Sequence, residues 1–264
     1  MKLYYAFAVL AFPFELAATT LYAIDDSSNV LLTIDRSTFA IAVVGDTGIA
    51  TGDFGDLAYD SNHSVMYWSA GRGNGNIYTL NLMTGSATLL GATGLSDLFA
   101  LAYDTGNNTL YGASDTDKNL YSINTTTGAA TLVGATGIFD FFGGLAYRPD
   151  NNTLYLTGAG SGKLYAVNVS TGAATLFSAG AGVIDDDGIT WDPLLGVFWV
   201  DEYAGGKVDQ YDVAFASRSL ETTSVYNLDG IAFVGDAAVP EPGTLGLTLA
   251  AAVFVRLAVQ RRGL

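Results

Sequence analysis

Eight aspartates, Asp53, Asp56, Asp97, Asp140, Asp185, Asp186, Asp187 and Asp229, stand just ahead of an apolar phrase that recurs along the chain. Lying just before each inner strand of the repeat, they should gather at one mouth of whatever channel the phrase surrounds. Converging carboxylates repel one another unless a cation or water lies between them, and hard oxygen ligands of this kind suit calcium. The other reading is that these aspartates shape turns on an acidic surface. Nucleophilic chemistry has less to work with. The chain has no cysteine, which excludes thiolate catalysis, disulfides and cysteine-held zinc. Its one histidine, His63, lies in the turn SNHS, and no G-x-S-x-G elbow accompanies it. The glycine run GRGNGN at 71–76 joins two strands and enters no helix, so it lacks what a phosphate loop uses.

The elements that must position these residues follow from composition and repetition. Half of the 264 residues are apolar, enough for a core of real size, and 11 basic against 26 acidic residues give a net charge of -15. Nucleic acid is therefore not expected as a partner. Aligned on LAYD, the chain reads Leu57-Ala58-Tyr59-Asp60, Leu101-Ala102-Tyr103-Asp104, Leu145-Ala146-Tyr147-Arg148, Ile189-Thr190-Trp191-Asp192 and Ile231-Ala232-Phe233-Val234. The steps are 44, 44, 44 and 42 residues. Tyr67, Tyr111, Tyr155 and Trp199 keep the same step, and the first three units close on a Thr-Gly turn followed by an apolar strand.

Each unit reads as four short strands, for example GGLAYR, TLYLTG, KLYAVNV and AATLFS, separated by PDNN, AGSG and STG. The separators are rich in Asn, Asp, Gly and Ser, which reach positive φ or cap their own backbone. The strands are apolar on both faces, as strands in stacked sheets are. A four-stranded unit of this period is a β-propeller blade, and the LAYD and LY phrases resemble those of secreted propeller repeats. A parallel β-solenoid is the runner-up, disfavoured by its shorter repeats. The first unit starts part-way, since Leu21-Tyr22 is offset by 89 residues, two periods, from Leu110-Tyr111. Residues 20–45 thus supply the second to fourth strands of a blade whose first strand is DGIAFVG at 229–235. The expectation is an all-β, five-bladed β-propeller over residues 19–236, closed by its C-terminal strand.

The two ends carry a different kind of signal. Met1-Lys2 precedes the apolar run LYYAFAVLAFPFELAA, which reads as a signal peptide over residues 1–18 or, alternatively, as a first core element. Residues 237–264 hold Val239-Pro240-Glu241-Pro242, then the apolar stretch GTLGLTLAAAVFV interrupted by Arg256, then Arg261-Arg262. That stretch suits a short hydrophobic helix, with the arginines on the cytoplasmic side. Motif, span and basic end together resemble the PEP-CTERM sorting signal of Gram-negative bacteria; an ordinary single-pass anchor is the alternative. The resemblance implies export, a transient inner-membrane anchor, processing by an exosortase-type membrane protease and release to the cell surface or exopolysaccharide matrix.

Two functions follow as expectations. The first is a non-enzymatic surface or matrix propeller that binds an exopolysaccharide or surface protein, with Trp68, Phe141, Phe142 and Tyr203 either as contacts or as blade packing. The second is a calcium-assisted hydrolase or lyase at the acidic channel mouth, where carboxylates are the only bases offered. No cofactor is expected other than calcium.

Overall fold

The computed structural model describes residues 20–50, 55–180, 186–202 and 205–235. The segments expected to form a signal peptide and a sorting tail with Val239, Pro240, Glu241, Pro242, Arg261 and Arg262, and the short helix expected in that tail, lie outside these residues. So do Asp53, Asp185 and Tyr203.

Among the described residues twenty strands form five antiparallel four-stranded sheets. The first blade is β4 (Asp56–Asp60), β5 (Val65–Ser69), β6 (Asn76–Leu80) and β7 (Ala87–Ala92). The second is β8 (Ala100–Asp104), β9 (Thr109–Ser114), β10 (Asn119–Ile123) and β11 (Ala130–Ala135). The third is β12 (Phe142–Arg148), β13 (Thr153–Gly158), β14 (Lys163–Val167) and β15 (Ala174–Ser178). The fourth is β16 (Asp186–Asp192), β17 (Val197–Glu202), β18 (Lys207–Tyr211) and β19 (Arg218–Thr223). The fifth joins β20 (Leu228–Val234) to β1 (Thr20–Asp25), β2 (Val30–Asp35) and β3 (Ile41–Asp46). Leu21 pairs with Phe233 and Ala23 with Ile231, so the two ends of the repeat complete one sheet as the offset predicts. Each innermost strand packs on the next, β4 on β8, β12, β16 and β20 in turn, and β20 packs back on β4. The protein is a closed five-bladed propeller.

The repeated phrases are the inter-blade glue. Strand side chains alternate between two faces. Thus Leu57 packs with Ile24 and Leu31 of the fifth blade, while Ala58 faces Leu101 and Tyr103 of the second. Among the described residues the buried apolar side chains form five clusters of this kind. The LAYD aspartate turns the chain. Asp60 Oδ1 accepts from the amides of Asn62 and His63, Asp104 Oδ1 from Gly106 and Asn107, and Asp192 Oδ1 from Leu194 and Leu195, all at 2.9–3.1 Å. The turn ends in a left-handed residue, Ser64, Asn108, Asn152 or Gly196, at the same 44-residue step.

The Thr-Gly turn does a second job at the rim. Gly85, Gly128 and Gly172 adopt φ of 76–79° and lie against Gly45, Gly91 and Gly134 on the outer strand of the preceding blade. The amides of Ala87, Ala130 and Ala174 then bond the carbonyls of Thr47, Thr93 and Thr136 across the seam at 2.9–3.1 Å. A Cβ on Gly91 would stand 1.9 Å from the Thr127 carbonyl oxygen, which is backbone and cannot swing aside. Gly91→Ala is therefore expected to destabilise the ring by about 1–3 kcal/mol, as overpacking does. Thermal melts beside a Ser86→Ala control check this; a variant melting with the wild type would contradict the close approach.

Candidate functional site in the central channel

At the start of the inner strands the five blades contribute Asp56, Ala100, Gly144, Gly188 and Gly230 at one equivalent position. Here the backbones crowd together. A Cβ on Gly144 would lie 2.5 Å from the Ile189 nitrogen, one on Gly188 2.6 Å from the Ile231 nitrogen, and one on Gly230 2.7 Å from the Asp56 Cα. Asp56 alone puts a long side chain into this waist. Its carboxylate accepts from the amides of Leu57 and Leu101 at 2.8 Å and of Leu145 at 3.2 Å. Reaching three of the five inner strands, it lies across the channel. Burial pushes the Asp56 carboxyl well above the usual carboxylate range, against the pull of these amides.

Three more buried aspartates surround it. Asp229 Oδ2 accepts from the Gly55 amide at 2.7 Å, while its Oδ1 has no hydrogen-bond partner. Burial raises the Asp229 carboxyl well above its ordinary value, and the charges of Asp187, Asp201 and Asp26 add to the rise. Asp201, on β17, is fully buried, and no donor reaches hydrogen-bond geometry at either of its oxygens. Burial lifts it to about 7, a rise only tempered by the neighbouring amides of Gly188 and Gly230. The basic side chains of that blade, Lys207 and Arg218, are committed to Glu202 and Asp209.

Of the eight aspartates picked out by their register, the structure brings Asp56, Asp187 and Asp229 together at this end. Asp186 opens β16. Asp97 and Asp140 are engaged within their own blades. Asp97 accepts from Ser114 Oγ at 2.6 Å and from the Thr116 amide at 2.9 Å; Asp140 accepts from Ser161 Oγ and from the Phe141 amide. Among the described residues no three histidine or acidic side chains are disposed to hold a metal ion. Asp201 was not among the eight because it lies on a second strand. Its register was readable all the same: it occupies the position of Ser69 and Thr157, whose hydroxyls accept the amides of Asp56 and Gly144 at 3.0 and 2.9 Å.

The other end of the channel is built differently. A cavity of about 230 Å³ opens where the inner strands finish, floored by Leu57, Leu101, Leu145 and Ile189. One aromatic from each blade lines it: Tyr59, Tyr103, Tyr147, Trp191 and Phe233. No Lys, Arg, Asp or Glu is in its lining, and Ser61, Thr105, Pro149 and Pro193 form its rim. The Tyr147 hydroxyl donates to Asn152 Oδ1 at 2.9 Å; burial, with Asp60 near Tyr103 and Asp104 near Tyr147 adding to it, raises both phenols, Tyr147 to about 12. Where the third blade has Arg148 in place of the aspartate, the fourth has Trp191, with the guanidinium 4.3 Å from the ring. Where the fifth has Phe233, which cannot donate, Arg36 bonds Asp192 at 2.6 Å and lies 5.7 Å over the phenyl ring.

The loop aromatics divide. Trp68 and Phe142 are buried in the blades, Trp68 against Tyr78 and Phe142 beneath the Lys118 ammonium, whereas Phe141 is exposed. His63 is a mostly exposed turn residue whose Nδ1 lies 2.7 Å from Asp60 Oδ2.

Ring closure and a shared channel define a β-propeller repeat protein. Residues 11–190 match the family described as "Repeat of unknown function (DUF6923)", and the chain belongs to that family. No curated protein matches it. Among solved structures, a chain of a nidogen/laminin complex is similar at TM-score 0.60 and 13% identity, over 83% of this chain and 99% of that one. A structural-genomics protein of unknown function from Bacteroides thetaiotaomicron is similar at TM-score 0.57 and 18% identity, over 83% of this chain and 66% of that one. At such identities the likeness is one of fold.

Proposed function

We propose that this chain is an exported propeller, a non-enzymatic binding module of the cell surface or exopolysaccharide matrix, that takes its ligand in the aromatic cavity. The cavity carries the reading. It is concave, apolar at its floor and ringed by five aromatics, as small-ligand sites are. Burial raises the Tyr103 and Tyr147 phenols, so these hydroxyls stay neutral and the wall offers ring surface for recognition, not an activated nucleophile. The two ends of the sequence support export: an apolar run behind Lys2, and the Val239-Pro240-Glu241-Pro242 motif with its basic terminus. An exosortase-type protease would then release the propeller from its transient inner-membrane anchor.

Two measurements test this. Purified protein is expected to sediment with the producing cell's exopolysaccharide, and Ser61→Trp, which closes the cavity rim, is expected to abolish that association. Equal binding by the variant would move the site elsewhere. Changing Pro240 and Glu241 together to alanine should hold the chain in the inner-membrane fraction; unchanged surface delivery would end the sorting part of the proposal.

A further inference from the structure

The chemistry of the cavity wall narrows what it takes. Five aromatic side chains, each from the same repeat position, converge on a space of about 230 Å³. That is below the roughly 300 to 1,000 Å³ of sites that bury drug-sized molecules, so the space suits a small group. The lining brings no cationic side chain and no carboxylate, yet the surroundings are strongly anionic. The chain carries a net charge of -15, and Asp60, Asp104 and Asp192, all buried, stand just behind the aromatics. An anion would be repelled on approach. An aromatic face attracts a cation through its quadrupole, and most strongly where water is excluded. Burial near Asp60 and Asp104 keeps the Tyr103 and Tyr147 hydroxyls neutral, so the wall presents uncharged aromatic rings.

The molecule already uses this register to seat cations. Arg148 lies over Trp191 and Arg36 over Phe233, each guanidinium neutralised by a carboxylate, Asp150 and Asp192 respectively. Those two rings have cationic partners from within the fold, and the cavity itself lies among all five. A cation with a methylated, weakly hydrated head is the ligand such a wall favours, because no hydrogen-bond acceptor in the lining is needed to replace lost water.

We propose that the cavity enclosed by Tyr59, Tyr103, Tyr147, Trp191 and Phe233 is a seat for a trimethylammonium group. This rests on the reading that the cavity is the binding site, and deepens it by naming the ligand's chemistry. The group is either free, as in choline, or carried on a larger molecule, as in a phosphatidylcholine headgroup.

Isothermal titration of the purified protein with choline chloride tests it, beside 3,3-dimethylbutan-1-ol, which has the same shape without the charge. Choline is expected to bind at least tenfold more tightly than the neutral alcohol, and to lose at least tenfold in Tyr59→Leu and more in Ser61→Trp. Tyr59 is half-buried, and Ser61 sits at the rim, so both variants can be checked for folding by their melts. Co-sedimentation with phosphatidylcholine vesicles, against phosphatidylglycerol vesicles, tells the headgroup source from the free one; binding in either arm supports the shared chemistry. Equal affinity for the alcohol overturns the ammonium assignment while leaving the cavity as the site. Choline binding that survives Ser61→Trp overturns both, and absence of binding to choline and to phosphatidylcholine overturns the assignment.

Discussion

Deleting residues 228–235 should lower the melting temperature by more than about 10 °C or abolish the cooperative melt. Leu228 and Ile231 are fully buried, Ala232 nearly so, and β20 is at once the inner strand of the fifth blade and the neighbour of β16 and β4. Burying Leu228 and Ile231 contributes about 3–6 kcal/mol at 1.5–3 each, against a typical net stability of 5–15 kcal/mol. Each kcal/mol is worth about 2–4 °C in a domain of this size. Removal also strips the Gly55 amide of its partner Asp229 and exposes the long edge of β1, an invitation to pair with another chain. Ile231→Ala gives the graded form, at about 2–5 kcal/mol. Differential scanning calorimetry reads both. A deletion variant melting like the wild type would show that the ring does not depend on its closing strand.

Asp201→Asn is expected to stabilise the protein at pH 8 and to do little at pH 4. The folded Asp201 carboxyl is raised from 3.8 to about 7 by burial. A raised folded value means that stability is fully present below the unfolded value, near 4, and is lost as pH rises toward 7. At 1.36 kcal/mol per unit, that rise corresponds to about 4 kcal/mol of strain in the ionised state. An amide at the same position stays neutral and can accept the Gly188 amide, as Thr157 accepts that of Gly144. Its own N–H groups face a neighbourhood that includes the unpartnered Oδ1 of Asp229. Melting temperatures taken between pH 4 and pH 8 should therefore fall less steeply for the variant than for the wild type. Parallel profiles would mean that the buried charge is compensated. Calcium is the compensation to test first: a thermal shift of the wild type with millimolar calcium, absent from Asp201→Asn, would identify it.

Much of this was legible in the sequence because the repeat is regular. A 44-residue step carried by Leu and an aromatic residue, with Thr-Gly in the first three units, dictates strand, turn and rim, since each residue type meets one local demand: a buried face, an inter-blade contact, a left-handed turn. The truncated unit at 20–45 and the stray strand at 229–235 announced ring closure for the same reason. The aspartates ahead of the inner strands were visible too, but their fates were not. Asp97 differs from Asp229 in having Ser114 and Thr116 within reach, a matter of what faces it across space. Asp201 was readable by register but not by motif, because a second-strand residue becomes a channel residue only where glycines at 188 and 230 let the backbone close in.

The order of strands, their number and the joining of the two ends were set by the chain's own periodicity, because local patterning and a fixed repeat length leave few ways to bury every apolar face. Tertiary structure alone decided which side chains share the channel. Five aromatics chosen for packing between blades also ring a cavity, and the carboxylates of Asp56, Asp201 and Asp229, far apart in sequence, meet at the other end of the channel. Both depend on how closely five backbones approach one axis, a distance that no single segment encodes.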